Sequence, residues 1–238
     1  MVKLTDRLQL MADCIKKGET MADIGTDHGF LPLYLYEQGI CEKVILADVS
    51  IGSLNKAKEN SRLLCQVGDF RLGDGLKPID YNEVDVIVIA GMGGRLMTSI
   101  LGYDINKSRS FKRFILQPRS GQGELRFWLE KNEFDIRNEF LVREGKFICE
   151  VLEVTPILSN KPVNMELPSL EERIKYELPK TLLINQKDLA LELLNRHLKW
   201  QQEILEATKN AENTFEKRKI VLSKIEYIRE VIDYGCKI

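Results

Sequence analysis

The segment Val84 to Gly94 reads VDVIVIAGMGG. Its first part is β-branched and almost unbroken, the pattern of a strand covered on both faces of a parallel sheet. Working outward, similar apolar runs recur at Thr20 to Ile24 (TMADI), Lys43 to Asp48 (KVILAD), Val67 to Leu72 and Arg113 to Gln117 (RFILQ). Helical patterns lie between them. Leu31 to Gln38 carries Pro32 in its first turn, where the missing N–H costs nothing. Ser53 to Arg62 and Glu124 to Lys131 are the next two helices. Phe134 to Val142 and Lys146 to Val154 form an expected antiparallel pair around the turn Arg143-Glu144-Gly145. Strands alternating with helices imply right-handed βαβ units. The expected fold class is α/β, with an open, doubly wound, mainly parallel sheet and an antiparallel last strand.

Character changes near Thr155. Pro156, Pro162 and Pro168, with Ser and Asn between them, predict a linker over residues 155–170. From about Asn185 the chain becomes helical. Leu191, Leu194, Leu198 and Leu205 recur at steps of three, four and seven, and Val221, Ile225, Ile228 and Ile232 behave likewise. The polar stretch Ala207 to Asn213 separates the two sets. Two helices of roughly 20–25 residues, about 30–38 Å long, would form a coiled-coil-like hairpin. Such a hairpin either packs only on itself or extends a binding surface. Residues 1–158 are thus expected to form one domain, and residues 159–238 a linker and helical hairpin.

At 238 residues, with 44% apolar and 30% charged, the chain can bury a sizeable core. Collagen, general disorder and a small disulfide scaffold are excluded. Thirty-five Lys and Arg nearly cancel 36 Asp and Glu, which excludes an evenly basic protein but not one basic face. The five cysteines are scattered without CxxC spacing, so disulfides and structural zinc are not expected and a reducing cytoplasm is. The first residues, MVKLTDRLQLMADCIKKGE, carry charges throughout, and no run reaches the ~20 apolar residues of a membrane span.

Four turns follow the predicted strands. Asp23-Ile24-Gly25-Thr26-Asp27-His28-Gly29 comes first. A glycine turn at the end of the first strand of a doubly wound sheet is where such folds bind ligands. Here Asp27 stands where a dinucleotide site wants its middle glycine, and Asp23 precedes the turn. Two carboxylates repel a pyrophosphate but suit an ammonium and a sulfonium, which S-adenosylmethionine carries. Attraction at ~4 Å is on the order of 4 kcal/mol at an effective dielectric of 20. Asp48 ends the second strand, placed to reach the ribose hydroxyls of an adenosine cofactor, or to cap the next helix. Gly73-Asp74-Gly75-Leu76 can accept from an adenine amine, or be an ordinary turn. Ala90-Gly91-Met92-Gly93-Gly94 brings bare backbone to the switch point, or makes room for a helix start. His28 and His197 are the only histidines, and no HExxH or GxSxG spacing supports a metal site or acyl transfer.

Taken in order, ADIGTDHGFLP (Ala22 to Pro32), ADVS (Ala47 to Ser50), GDGL (Gly73 to Leu76), IAGMGG (Ile89 to Gly94) and LQP (Leu116 to Pro118) resemble the bacterial tRNA (adenine-22, N1)-methyltransferases, the TrmK family of class I S-adenosylmethionine-dependent enzymes. LTDRL (Leu4 to Leu8) and YELPKTLL (Tyr176 to Leu183) are similar too. The resemblance implies a Rossmann-like domain, a C-terminal helical domain that grips RNA, S-adenosyl-L-methionine as cofactor, and N1 of an adenosine in the tRNA D-arm as acceptor. Carried over by motif, the cofactor contacts are Asp23, Gly25, Asp27, His28, Asp48, Val49, Asp74, Gly75, Ala90, Gly91 and Met92. Gln117-Pro118-Arg119-Ser120-Gly121 departs from the pattern with a charged Arg119, and Cys65 to Leu72 is compressed. Asp27 is the candidate catalytic residue, facing the transfer site to take up the N6 proton or to stabilise the cationic product. No proline or polar side chain follows Ala90 to grip an exocyclic amine. That suits a ring nitrogen with its own in-plane lone pair, for which positioning carries most of the rate. A paired adenine must first be exposed, at a cost of a few kcal/mol. On the RNA side, Lys107, Arg109, Lys112, Arg113, Arg119 and Arg126 cluster around the fifth strand, and Lys217, Arg218 and Lys219 open the last helix. They form either a phosphate-binding face or a solvated one. A monomer with tRNA as partner, no metal and no membrane is the expectation. The rival readings are a methyltransferase for another RNA base or a small molecule, and a retired enzyme serving as an RNA-binding module.

Overall fold

The computed structural model describes residues 2–63, 68–157, 167–209 and 215–237. In chain order the elements are α1 (Asp6–Asp13), β1 (Met21–Ile24), α2 (Phe30–Glu37), β2 (Val44–Asp48), α3 (Ile51–Leu63), β3 (Asp69–Leu72), β4 (Val86–Gly93), α4 (Gly94–Tyr103), α5 (Ile105–Ser110), β5 (Arg113–Ser120), α6 (Gln122–Lys131), β6 (Phe134–Glu144), β7 (Phe147–Pro156), α7 (Leu170–Glu177), α8 (Leu182–Asn185), α9 (Lys187–Ala207) and α10 (Phe215–Lys237). Cys65 and Val67, the middle of the expected linker with Pro162, and most of the polar stretch before Asn213 lie outside the described residues.

Seven strands form one sheet in the order β3-β2-β1-β4-β5-β7-β6. Strands β1 to β5 pair in parallel, whereas β7 runs antiparallel to both β5 and β6. The order reverses between β1 and β4, so the loops leaving these two strands diverge and open a crevice at the sheet's carboxyl edge. Alternation along the strands divides the core in two. Ala22, Ile24, Ile45, Ala47, Ile87, Ile89 and Phe114 pack beneath α4 and α6 on one face. Met21, Val44, Leu46, Val86, Val88 and Ile115 pack with Met11, Leu31 and Ala57 of α1, α2 and α3 on the other. Each fully buried Val or Ile contributes roughly 1.5–3 kcal/mol, which accounts for the unbroken apolar run from Val86 to Ile89 in β4. Period two places Asp23, Asp48 and Gln117 on the α1 side, beyond Met21, Leu46 and Ile115 respectively.

Three local findings alter the sequence-based picture. Ala90 to Gly93 is not a turn but a continuation of β4, paired irregularly with Gln117 to Ser120 of β5. Glycine carries no strand signal, so pairing alone reveals the extension. The charged first segment forms α1, capped by the Thr5 side chain, which accepts from Leu8 N. Helices α9 and α10 pack against each other, and their shared core also takes in Leu141 of β6 and Leu178, Leu182 and Leu183 around α8. They are therefore joined to the sheet as well as to each other.

A buried ionic cluster fastens this junction. Arg126 of α6, 3% exposed, donates from Nε to Glu139 Oε1 at 2.6 Å and from Nη2 to Glu150. Its Nη1 donates to the Tyr176 carbonyl at 3.1 Å, and the Thr181 hydroxyl donates to Glu139. Arg113 is likewise enclosed, bonded to Glu19, Glu153 and the Cys14 carbonyl. These two arginines leave the supposed phosphate-binding cluster: burial among carboxylates commits them to the fold. Arg109 pairs with Glu133 and Lys112 with Asp85.

Candidate active site

The crevice holds a cleft of ≈ 310 Å³ lined by Arg7, Leu8, Met11, Asp23, Gly25, Thr26, Asp27, His28, Phe30, Leu31, Ala90 and Gly91. The turn after β1 supplies most of it. Gly25 has φ +79, and an added Cβ would collide with Met92 Cε, so this turn needs glycine. At Gly29 an added Cβ would approach Leu46 Cδ2 to 2.7 Å, and its absence lets α2 settle on β2. Asp27 adopts φ 42, a left-handed conformation that Asp tolerates better than most residues.

Asp23 is 7% exposed. Burial, with a smaller contribution from Asp48, pushes its carboxyl up to about 6. The nearby Thr26 hydroxyl and the Arg7 guanidinium oppose the rise. The same Thr26 Oγ1, buried in a residue 7% exposed, has no partner in full hydrogen-bonding geometry. Asp48 Oδ1 accepts from Ser50 N at 2.7 Å, and Oδ2 accepts from Asp27 N at 3.4 Å, which ties the ends of β1 and β2 together. Asp27 stands half-exposed at the mouth, 3.1 Å from Lys56 Nζ and 3.5 Å from His28 Nε2. The His28 ring lies parallel to Phe30, with centroids 5.3 Å apart.

The expected residues thus divide into two groups. Asp23, Gly25, Asp27, His28, Ala90 and Gly91 line the cleft, and Met92 lies behind Gly25. Asp48, Val49, Asp74 and Gly75 extend beyond it, along the ends of β2 and β3, where Gly73 N donates to Asp48 O at 3.0 Å. Val49 is 72% exposed, and Asp74 pairs with Lys77 at 2.7 Å. Sequence reasoning did not single out Arg7, Thr26, Gln117 or Lys56. Arg7 lay within LTDRL and Gln117 within LQP, yet only the fold brings them together. Gln117 Oε1 accepts from Arg7 Nη1 at 3.0 Å and from Gly91 N at 3.2 Å.

Buried and half-exposed acids, a buried hydroxyl without a hydrogen bond of full geometry, and open space beside Gly91, where an added Cβ would meet nothing within 4 Å, suit a cationic, polar ligand. Among the described residues no group of three or more His, Cys, Asp or Glu is placed to hold a metal, and no helix is long and apolar enough to cross a membrane.

Residues 4–152 match the family model of a methyltransferase domain. The chain is 32% identical over 241 aligned residues to the tRNA (adenine(22)-N(1))-methyltransferase of Bacillus subtilis, covering 98% of this chain and 99% of the relative. The solved Bacillus subtilis m1A22 tRNA methyltransferase superposes with TM-score 0.79 at 30% identity, covering 98% of this chain and 100% of the other. A Streptococcus pneumoniae protein solved with S-adenosyl-L-methionine matches with TM-score 0.79 at 29% identity, covering 97% and 100%.

Proposed function

The chain belongs to the tRNA (adenine(22)-N(1))-methyltransferase family, and on that premise we propose how its own residues carry out methylation of N1 of adenine 22 in tRNA. The observation that carries the reading is the row of acids along one face of the sheet's carboxyl edge, with buried Asp23 inside a cleft at the switch point. S-adenosyl-L-methionine supplies an electrophilic methyl group on a sulfonium. Asp23 would hold the ammonium of its amino-acid tail, and Asp48 the ribose hydroxyls. Asp74 and Gly75, on the loop beyond β3, would border the adenine, while Gly91 leaves backbone room beside the tail. Val49, His28 and Met92 complete the wall.

Asp27 is the residue assigned to the acceptor. Adenine N1 attacks through its ring lone pair, and the methylated ring becomes cationic. A carboxylate at the mouth would either stabilise that charge or take the N6 proton. The remaining rate comes from positioning. We further assign residues 1–158 to catalysis and residues 159–238 to gripping tRNA, with the exposed Lys217 and Lys219 of α10 meeting phosphates.

The test is methylation of tRNA lacking the modification with labelled S-adenosyl-L-methionine, followed by nuclease digestion and mapping of the labelled nucleoside. Label as N1-methyladenosine at position 22 is expected. Label on another base, or on no RNA at all while the cofactor binds, would overturn the reading.

A further inference from the structure

We propose that Arg7 and Thr26 form a carboxylate-binding end of the cofactor cleft, so that α1 recognises the amino-acid tail of S-adenosyl-L-methionine. This rests on the functional reading above. The tail is a zwitterion, with an ammonium and a carboxylate on one carbon. Asp23, Asp27 and Asp48 suit the ammonium and the ribose and repel the carboxylate. That second charge needs its own partner inside the same cleft.

Among the described residues lining the cleft, Arg7 is the only arginine or lysine. Its guanidinium is fixed on two sides. Nε donates to Glu144 Oε2 at 2.6 Å, and Nη1 donates to Gln117 Oε1 at 3.0 Å. The remaining nitrogen, Nη2, has no hydrogen-bond partner among the described residues. The Thr26 hydroxyl is the second such group: buried in the cleft wall, it lies near enough to Asp23 to counter the rise of that carboxyl, yet it makes no hydrogen bond of full geometry. A buried hydroxyl so poorly satisfied costs stability, and a well-placed ligand oxygen removes that cost. A carboxylate has an oxygen for each, and charge-assisted bonds to a preorganised guanidinium are among the stronger hydrogen bonds. Gln117 also accepts from Gly91 N, so the same contact holds the backbone at the end of β4 in place.

The competing role for Arg7 is a staple that merely fastens α1 to β5 and β6. Titration calorimetry on the full chain separates the two, using S-adenosyl-L-methionine and its decarboxylated analogue, which keeps the adenosine, sulfonium and amine. The wild-type protein is expected to prefer the carboxylated ligand by about ten- to a hundredfold. Arg7→Gln should lose affinity for S-adenosyl-L-methionine by that factor yet bind the analogue as before, bringing the ratio near one. Arg7→Lys should restore part of the preference, and Thr26→Val should lower it by about two- to tenfold. A staple would weaken both ligands equally, and an unchanged ratio in Arg7→Gln overturns the proposal. If Arg7→Gln does not fold, an unchanged ratio in both Arg7→Lys and Thr26→Val overturns it instead. Wild-type protein that binds both ligands alike removes the Arg7 assignment alone. Binding of neither removes the cofactor reading with it.

Discussion

Asp23 offers a test in which function and stability oppose each other. Its carboxyl titrates at about 6 in the folded chain against an ordinary value of 3.8. Between those two pH values the folded state holds a proton that the unfolded chain has released. Stability therefore falls as pH rises through this window, and the ligand-free protein above pH 7 carries the whole deficit. Two pK units at 1.36 kcal/mol each amount to about 3 kcal/mol. Asp23→Asn removes the charge but keeps the shape. Its stability relative to wild type should rise with pH, level near pH 4 and below, and up to about 3 kcal/mol higher at pH 7 and above. Urea unfolding of both ligand-free proteins from pH 3.5 to 8 measures this difference. The same substitution should abolish tight binding of S-adenosyl-L-methionine, whose ammonium loses its partner. In the wild type, affinity should grow as pH rises through about 6, because the ligand favours the ionised carboxylate. A stability difference that stays flat with pH to within about 0.5 kcal/mol would refute the claim that Asp23 is held in a desolvated site.

Three further outcomes are expected. Asp27→Asn should lower turnover by a larger factor than it weakens S-adenosyl-L-methionine binding in calorimetry, and full turnover would remove Asp27 from the acceptor chemistry. Arg126→Met leaves Glu139 and Glu150 buried without their cation, so unfolding free energy should drop by about 3–5 kcal/mol, and a loss below about 1 kcal/mol would mean the cluster is solvated. Binding of tRNA, measured by filter retention between ~50 and 200 mM salt, should weaken at least tenfold if Lys217 and Lys219 meet phosphates, and salt-insensitive affinity would argue against that grip.

The strands were legible because burial on both faces allows little but Val, Ile, Leu and Ala, as in Val86 to Ile89 and Val44 to Leu46. Residues 187–207 and 215–237 were legible as helices because their leucines and isoleucines recur at helical spacing. Asp23, Gly25 and Asp27 were legible as neighbours in one cleft because chain order places their turn at the end of the first strand, where a doubly wound sheet opens. What lay beyond reading were relations between distant segments. Arg113 and Arg126 look like surface cations in one dimension. Only packing encloses them among Glu19, Glu153, Glu139 and Glu150, since a charge run carries no record of which side chains will be desolvated. The strand extension through Gly93 exists because β5 lies beside it.

The order of residues by itself thus determined the α/β plan, the helical end of the chain and an acidic turn suited to a cationic cofactor, because each depends on local period or on position along one strand. Folding alone decided that Arg7, 110 residues from Gln117, would line that cleft, and that Thr26 would be buried in its wall without a hydrogen bond of full geometry. Hydrogen bonds across such separations arise only when the sheet sets strand ends side by side, and no spacing in the chain encodes that distance.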